Sequence, residues 1–271
     1  MALSSEKCDL RFGSILSYVP LRHLEDAAPD ATGLPRKKRV REGCAKLGIE
    51  DRLCDDMLLG HNFMVWLKNN SMVPNHLRKD HKEVETSELV VHFTKIVLAE
   101  EREANRNTMF RKLLGEFLGR DALLVPVPPH FPMKEYSANG GLWVPNRIAV
   151  HMEELGLGRR LVALRRVREV QKSSTLLKRT ERRPATHRDS LEIASDEDLN
   201  GRRVVLVDDI VTTGSTMLGS AWRILDRYPN AQIVGFAVMR TISDPRQFRG
   251  TLDPVAGCIV HNEDGTACRR P

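Results

Sequence analysis

The sequence predicts an α/β protein: a parallel sheet flanked by helices, with a mainly helical accessory region ahead of it. Three observations carry that expectation. The apolar run Val204-Val205-Leu206-Val207 has the length and β-branched content of a strand buried on both faces, and it leads through Asp208-Asp209 and a small-residue loop into an amphipathic segment near Met217. Strand-like and helix-like segments alternate across residues 121–240, which requires right-handed crossovers and a parallel sheet. Residues 1–120 are instead dominated by helical periodicity. The expected division is therefore an accessory or hood region, 1–120, and a sheet domain, 121–271.

The first half is read element by element. Phe12–Val19 fits a short strand, followed by a polar loop holding Pro29, Gly33, Pro35 and the basic run Arg36–Arg41. Met57–Leu67 is mostly apolar and helical. Thr86–Glu103 puts Leu89, Phe93, Ile96 and Val97 on one helical face behind Thr86 or Ser87 as cap. Phe110–Leu118 continues helically through Leu113, Leu114, Phe117 and Leu118. His61, His76, His81 and His92 match no zinc or metal-phosphohydrolase spacing and read as exposed or core-edge residues.

From Asp121 the texture changes. Ala122–Val127 is a β-type run broken by Pro126, Pro128 and Pro129, with His130 next; proline cannot donate to a ladder, so the strand ends in a stiff turn. Pro132–Gly141 is polar, with Gly140-Gly141, and suits a mobile lid. Asn146–Leu155 reads as a helix with Ile148, Met152 and Leu155 inward, and Leu161–Leu164 as a second short strand before Arg165-Arg166. Lys172–Ile193 is Arg-rich, and Lys178, Arg182 and Arg183 could donate to an anion from a flexible loop. Met217, Leu218, Ala221, Trp222, Leu225 and Tyr228 recur at helical spacing, which makes Trp222 a core residue rather than a ligand contact. Pro229-Asn230 ends that helix and Ile233–Met239 forms the next buried strand. The tail from Thr241 reads as loop-rich, and its Cys258, His261 and Cys268 lack a fourth zinc ligand.

Bulk properties narrow the classes. A hydrophobic fraction of 41% with 29% charged residues reads as soluble and globular. No apolar run reaches membrane-spanning length and the N-terminus has no basic-then-apolar pattern, so a cytoplasmic protein without a membrane partner is expected. Cys8, Cys44, Cys54, Cys258 and Cys268 form an odd, scattered set without a Cys-x-x-Cys pair, which argues for reduced thiols. The net charge of +6 is local: residues 159–188 hold eleven Arg/Lys against Glu169 and Glu181, or +9, leaving about −3 elsewhere. Such a band could attract a polyanionic substrate, contact nucleic acid, or be a solvated face.

The chemistry concentrates at residues 203–216. A strand, an acidic pair, a Thr/Gly/Ser loop and a helix start make the layout of an anion site at the carboxyl end of a parallel strand. Two carboxylates beside a phosphate repel it unless a divalent cation or sugar hydroxyls intervene, so the stretch asks for a sugar phosphate with metal. The chain has neither a Walker loop nor a Gly-x-Gly-x-x-Gly fingerprint after a strand-like run.

Val204-Val205-Leu206-Val207-Asp208-Asp209-Ile210-Val211-Thr212-Thr213-Gly214-Ser215-Thr216 resembles the phosphoribosyl-pyrophosphate (PRPP) motif of type I phosphoribosyltransferases. The resemblance implies that Asp208 and Asp209 hold the ribose hydroxyls, directly or through Mg²⁺, and act as the catalytic and metal-binding pair. It implies that Thr212, Thr213, Gly214, Ser215 and Thr216 bind the 5′-phosphate, and that Val127 and Pro128 offer backbone to the pyrophosphate, with Lys178 and Arg182 from the basic loop. Val-Pro-Val-Pro-Pro-His at 125–130 looks like the turn of the ComF-like, competence-associated branch, and the 172–193 stretch follows that branch's order. Three departures stand out: Asn146-Arg147 replaces Asn-Gln, His187-Arg188-Asp189 replaces Arg-Arg-Asn, and the cysteine-rich zinc module is missing. The implied activity is Mg²⁺-dependent transfer of ribose 5-phosphate from PRPP to a small base-like acceptor. A non-catalytic PRPP or nucleotide sensor, or a DNA-processing partner using the basic band, is the alternative on the same fold.

Overall fold

Seven strands form the central sheet of the computed structural model, which describes residues 8–31, 33–75, 82–107, 114–115, 117–132, 142–170 and 183–270. Across the sheet they run Ala267–Arg270 (β11), Leu252–His261 (β10), Leu10–Tyr18 (β1), Gln232–Thr241 (β9), Arg203–Val211 (β8), Leu123–Pro126 (β4) and Arg159–Arg160 (β5). From β1 to β5 every pairing is parallel, while β10 and β11 are added antiparallel. The fold is thus a mixed α/β one with a mostly parallel central sheet, consistent with the type I phosphoribosyltransferase fold.

Strand β8 is central because both its faces are covered. Val204 and Leu206 pack with Met217, Leu218, Ala221 and Ile224 of the helix Ser215–Arg227, whereas Val205 and Val207 pack with Ile148, Ala149 and Met152 of the helix Val144–Glu154. All four strand residues are fully buried, at roughly 1.5–3 kcal/mol for a buried aliphatic side chain. The helix Pro184–Asp189 packs on Ser215–Arg227 where Gly219 leaves room: a Cβ there would lie 2.4 Å from the Pro184 carbonyl oxygen.

The N-terminal segment contains helices Leu21–Asp26 (α1), Arg36–Lys46 (α2), Asp51–Asn69 (α3) and Thr86–Asn107 (α4), with the hairpin Met72–Pro74 (β2) and Glu83–Glu85 (β3) between the last two. In chain order the later helices are α5 (Val144–Glu154), α6 (Pro184–Asp189) and α7 (Ser215–Arg227), and the short strands Leu164–Arg166 (β6) and Leu191–Ile193 (β7) pair off the main sheet. The segment does not merely lie against the sheet. Strand β1 sits inside it between β9 and β10, and Ile15, Leu16, Leu67, Val90 and Val97 share one core with Val205, Phe236 and Met239. A continuous core crosses residue 120, because a strand as apolar as Leu10–Tyr18 has to be buried on both faces.

Several local expectations change. The basic run 36–41 is the start of α2 rather than loop: Arg and Lys favour helix, Val40, Gly43 and Cys44 bury one face, and Glu25 pairs with Arg36 and Arg39. Neither Thr86 nor Ser87 caps α4; the Ser87 N–H is met from across by Asn70 Oδ1 at 2.9 Å, and Asn70 itself ends α3 in the left-handed region. Ile96 is exposed, while Val90, Val91 and Leu98 take the inward face with Leu89 and Val97. Of the stretch 110–118, residues 110–113 and 116 lie outside the described residues; Leu114, Phe117 and Leu118 are buried, with the Phe117 and Leu118 N–H groups both returning to the Leu114 carbonyl. Residues 161–163 are not strand; β5 and β6 flank them.

The tail is not loop-rich. Val255–Val260 carries the apolar run of β10, Asp264-Gly265 lies in the turn, and Pro254 falls where the β1–β10 register shifts, so it interrupts no ladder. Cys8 and Cys258 form a disulfide, against the expectation of reduced thiols; antiparallel pairing brings the chain start beside β10. Cys44, Cys54 and Cys268 are free. Among the described residues no helix is long and apolar enough to cross a membrane.

Candidate functional site

Strand β8 outruns one neighbour. Strand β4 stops at Pro126, opposite Val207, and the following Val127 N–H still donates to the Val207 carbonyl at 2.9 Å. Strand β9 stays paired with β8 as far as Val211, opposite Arg240. Asp208 and Asp209 are therefore flanked by a strand on one side only, and both are half-buried. The Asp209 N–H donates to Asp208 Oδ1 at 2.9 Å and the Ile210 N–H to Asp209 Oδ1 at 2.8 Å. Burial and the adjacent charge of Asp209 push the Asp208 carboxyl well above the usual carboxylate range, while the Asp209 N–H and the Arg166 guanidinium pull the other way.

Thr212, Thr213 and Gly214 link β8 to α7. Gly214 has φ +90° and is the N-cap, with its carbonyl accepting from the Leu218 N–H at 2.9 Å. Having no side chain, it leaves the first-turn N–H groups of a thirteen-residue helix for an anion to satisfy. An open hollow is lined by Asp208, Ile210, Val211 and residues 212–217. The hydroxyls of Thr213 and Ser215 lie 3.0 Å apart in it. Asp208, the loop hydroxyls and the helix N-terminus thus share one hollow, which suits a ligand carrying both hydroxyl donors and a phosphate.

Two buried polar side chains, one of them charged, stand behind this hollow. Arg166, only 2% exposed, donates through Nε to the Pro129 carbonyl and through Nη1 to Ser190 Oγ, while its Nη2 has no partner. Burial lowers its pKa to about 10, against the pull of Asp208. His187 Nε2 lies 3.4 Å from Thr216 Oγ1 and its Nδ1 is unpartnered. Burial, then Arg166, lowers the His187 pKa to about 4, so the ring is neutral.

Of the residues singled out in sequence, Asp208 and 212–216 converge on the hollow, while Asp209, the next residue of β8, is not among its lining. Val127 and Pro128 are buried alongside and do not line the hollow; the Val127 carbonyl accepts from Trp143 Nε1 at 2.7 Å, which sets the course of the turn. Lys178 and Arg182 lie outside the described residues, as does most of the 132–141 stretch. The described part of the basic band is largely engaged internally: Arg159 pairs with Glu197, Arg165 with Glu192, Arg188 with Asp226, and Arg160 donates to Asn146 Oδ1. Trp222 packs on the core and stands edge-on to His261, as its spacing implies. Cys258 is in the disulfide and Cys268 Sγ contacts Asn262 Oδ1, so the tail trio is not gathered on a metal. Among the described residues no three His, Cys, Asp or Glu side chains cluster to hold one.

Four contributors escape a sequence reading: Arg166, His187, Ile259 and Arg269. The last two come from the C-terminal hairpin, where Ile259 fills the space beside Gly214 and Arg269 Nε donates to the Thr212 carbonyl. The apolar run before Asp264-Gly265 is the signal that could have revealed the hairpin. Nothing local reveals that it reaches the loop.

Residues 138–250 match the family model of the phosphoribosyl transferase domain. The match supports the type I phosphoribosyltransferase family. It spans the acidic pair, the 212–216 loop and strands β8 and β9, and it stops before the C-terminal hairpin. No curated protein matches the chain.

Proposed function

We propose that the protein is a Mg²⁺-dependent phosphoribosyltransferase of the ComF-like branch, transferring ribose 5-phosphate from PRPP to a base-like acceptor with release of pyrophosphate. The observation that carries this reading is Asp208, the first of the acidic pair, lining the same hollow as the glycine-capped start of α7. A ribose 5-phosphate joins those features chemically: its hydroxyls donate to the carboxylates, and its phosphate accepts from the loop hydroxyls and first-turn N–H groups.

In the reaction the C1–oxygen bond to pyrophosphate breaks and a bond from the acceptor nitrogen to C1 forms, with the nitrogen's proton passing to solvent or a base. The transition state resembles an oxocarbenium ion, so the protein's work is positioning and charge rather than nucleophilic attack. Asp208 and Asp209 orient the ribose, and residues 212–216 fix the phosphate. The donor set suits Mg²⁺: two hard carboxylates, one of them strained by the other's charge, with the remaining ligands drawn from substrate and water. When bound, that ion supplies positive charge against the departing pyrophosphate. The alternative of a nucleic-acid partner draws less support, because Arg159, Arg165 and Arg188 are already paired with carboxylates.

The test is calorimetric titration of PRPP into the intact protein with and without Mg²⁺, beside Asp208→Asn/Asp209→Asn. Binding that needs Mg²⁺ and is lost in the double variant is expected, followed by pyrophosphate release when the right base is added. A folded wild-type protein that binds no PRPP would sink the reading.

A further inference from the structure

The hairpin β10–β11 lies beyond the matched segment and yet reaches the loop at residues 212–216 with two side chains. Ile259, fully buried, occupies the place a Gly214 side chain would take. Arg269 forks: Nε donates to the Thr212 carbonyl, at the start of the loop, and Nη2 donates to the Thr241 carbonyl, at the end of β9. One rigid planar group therefore ties the loop to the carboxyl end of the neighbouring strand. Among the described residues Arg269 has no carboxylate partner, whereas nearby Arg240 is neutralised by Asp253. A half-buried guanidinium bonded only to carbonyls keeps its full charge beside the hollow. Burial, together with repulsion from Arg240, holds its pKa down near 10, which still leaves it charged at neutral pH.

We propose that Arg269 is a positioning residue for the 212–216 loop, so that the C-terminal hairpin is a working part of the phosphate site. Its fork fixes Thr212 against Thr241, and its uncompensated charge adds to the attraction for a phosphoryl group. The ligand assignment rests on the reading above; the fork does not. Lysine cannot replace this residue, because one ammonium on a flexible stem does not reach two carbonyls in a fixed plane.

Arg269→Gln and Arg269→Lys in the full chain test the inference in two arms. Without ligand, amide hydrogen exchange across 208–218 is expected to speed up about tenfold or more in both variants, while 123–127 in β4 stays as in wild type. Unchanged exchange at 208–218 would overturn the proposal, and Arg269→Lys alone decides this arm if the glutamine variant does not fold. In the second arm, titration with ribose 5-phosphate is expected to show about tenfold weaker binding for Arg269→Gln, with Arg269→Lys recovering only part of the loss. Full recovery by lysine would reduce the residue to a simple charge and overturn the positioning role. If wild-type protein binds neither ribose 5-phosphate nor PRPP, the proposed function falls, and the ligand-free arm still decides whether Arg269 holds the loop.

Discussion

Replacing Gly214 by alanine tests the loop geometry most directly. At φ +90° an L side chain is strained, at about 1–2 kcal/mol. The added Cβ would also stand 2.6, 2.7 and 2.9 Å from three carbons of Ile259, a side chain with no exposed surface to yield into. Overpacking of that kind costs about 1–3 kcal/mol, so Gly214→Ala should destabilise by roughly 2–5 kcal/mol in all. The two contributions separate in a double-mutant cycle. Ile259→Ala alone costs about 2–5 kcal/mol through its cavity. In Gly214→Ala/Ile259→Ala the clash is gone while the backbone strain stays, so the pair should be less destabilised than the sum of the single variants by about 1–3 kcal/mol. Urea unfolding measures all four proteins. Additivity within about 0.5 kcal/mol would show that Ile259 does not abut Gly214, and would remove the packing basis for joining the hairpin to the loop.

Three further outcomes concern His187 and the cysteines. His187 has its pKa lowered from 6.5 to about 4, so the fold holds the neutral ring. The stability this contributes is complete above the unfolded value and is lost as pH falls through the folded one. Wild-type protein should therefore lose about 3 kcal/mol between roughly pH 6.5 and 4 that His187→Gln does not lose, as read by unfolding at each pH; parallel curves would refute it. Thiol titration in denaturant without reductant should count three groups, from Cys44, Cys54 and Cys268, since Cys8 and Cys258 are bonded. A count of five would contradict the bond, and Cys8→Ser/Cys258→Ser should cost about 2–5 kcal/mol.

The parts legible in the sequence are those specified by short-range chemistry. Val204–Val207 is a strand because four apolar, mostly β-branched residues stand together, and Gly214 supplies the positive φ with which the loop enters α7. Asp208 and the loop hydroxyls are neighbours along the chain, so their convergence needed no long-range contact. The same local reading failed where a residue's partner lay far away. Arg36–Arg41 reads as a solvated loop until Glu25 and the apolar face of α2 are seen, and the tail reads as loop until β1 is there to pair with it. Cysteine spacing could not foretell a bond between residues 250 apart.

The sequence by itself thus determined the α/β class, the buried strand and its acidic pair, and a phosphate-type loop at a helix start, all set by side-chain period and turn chemistry within a few residues. Only the tertiary structure decided that an N-terminal strand completes the sheet, that Arg166 and His187 are buried behind the hollow, and that a C-terminal hairpin holds the loop through Ile259 and Arg269. Strand order and the burial of a distant charge depend on which surfaces close against each other, and no local pattern encodes that choice.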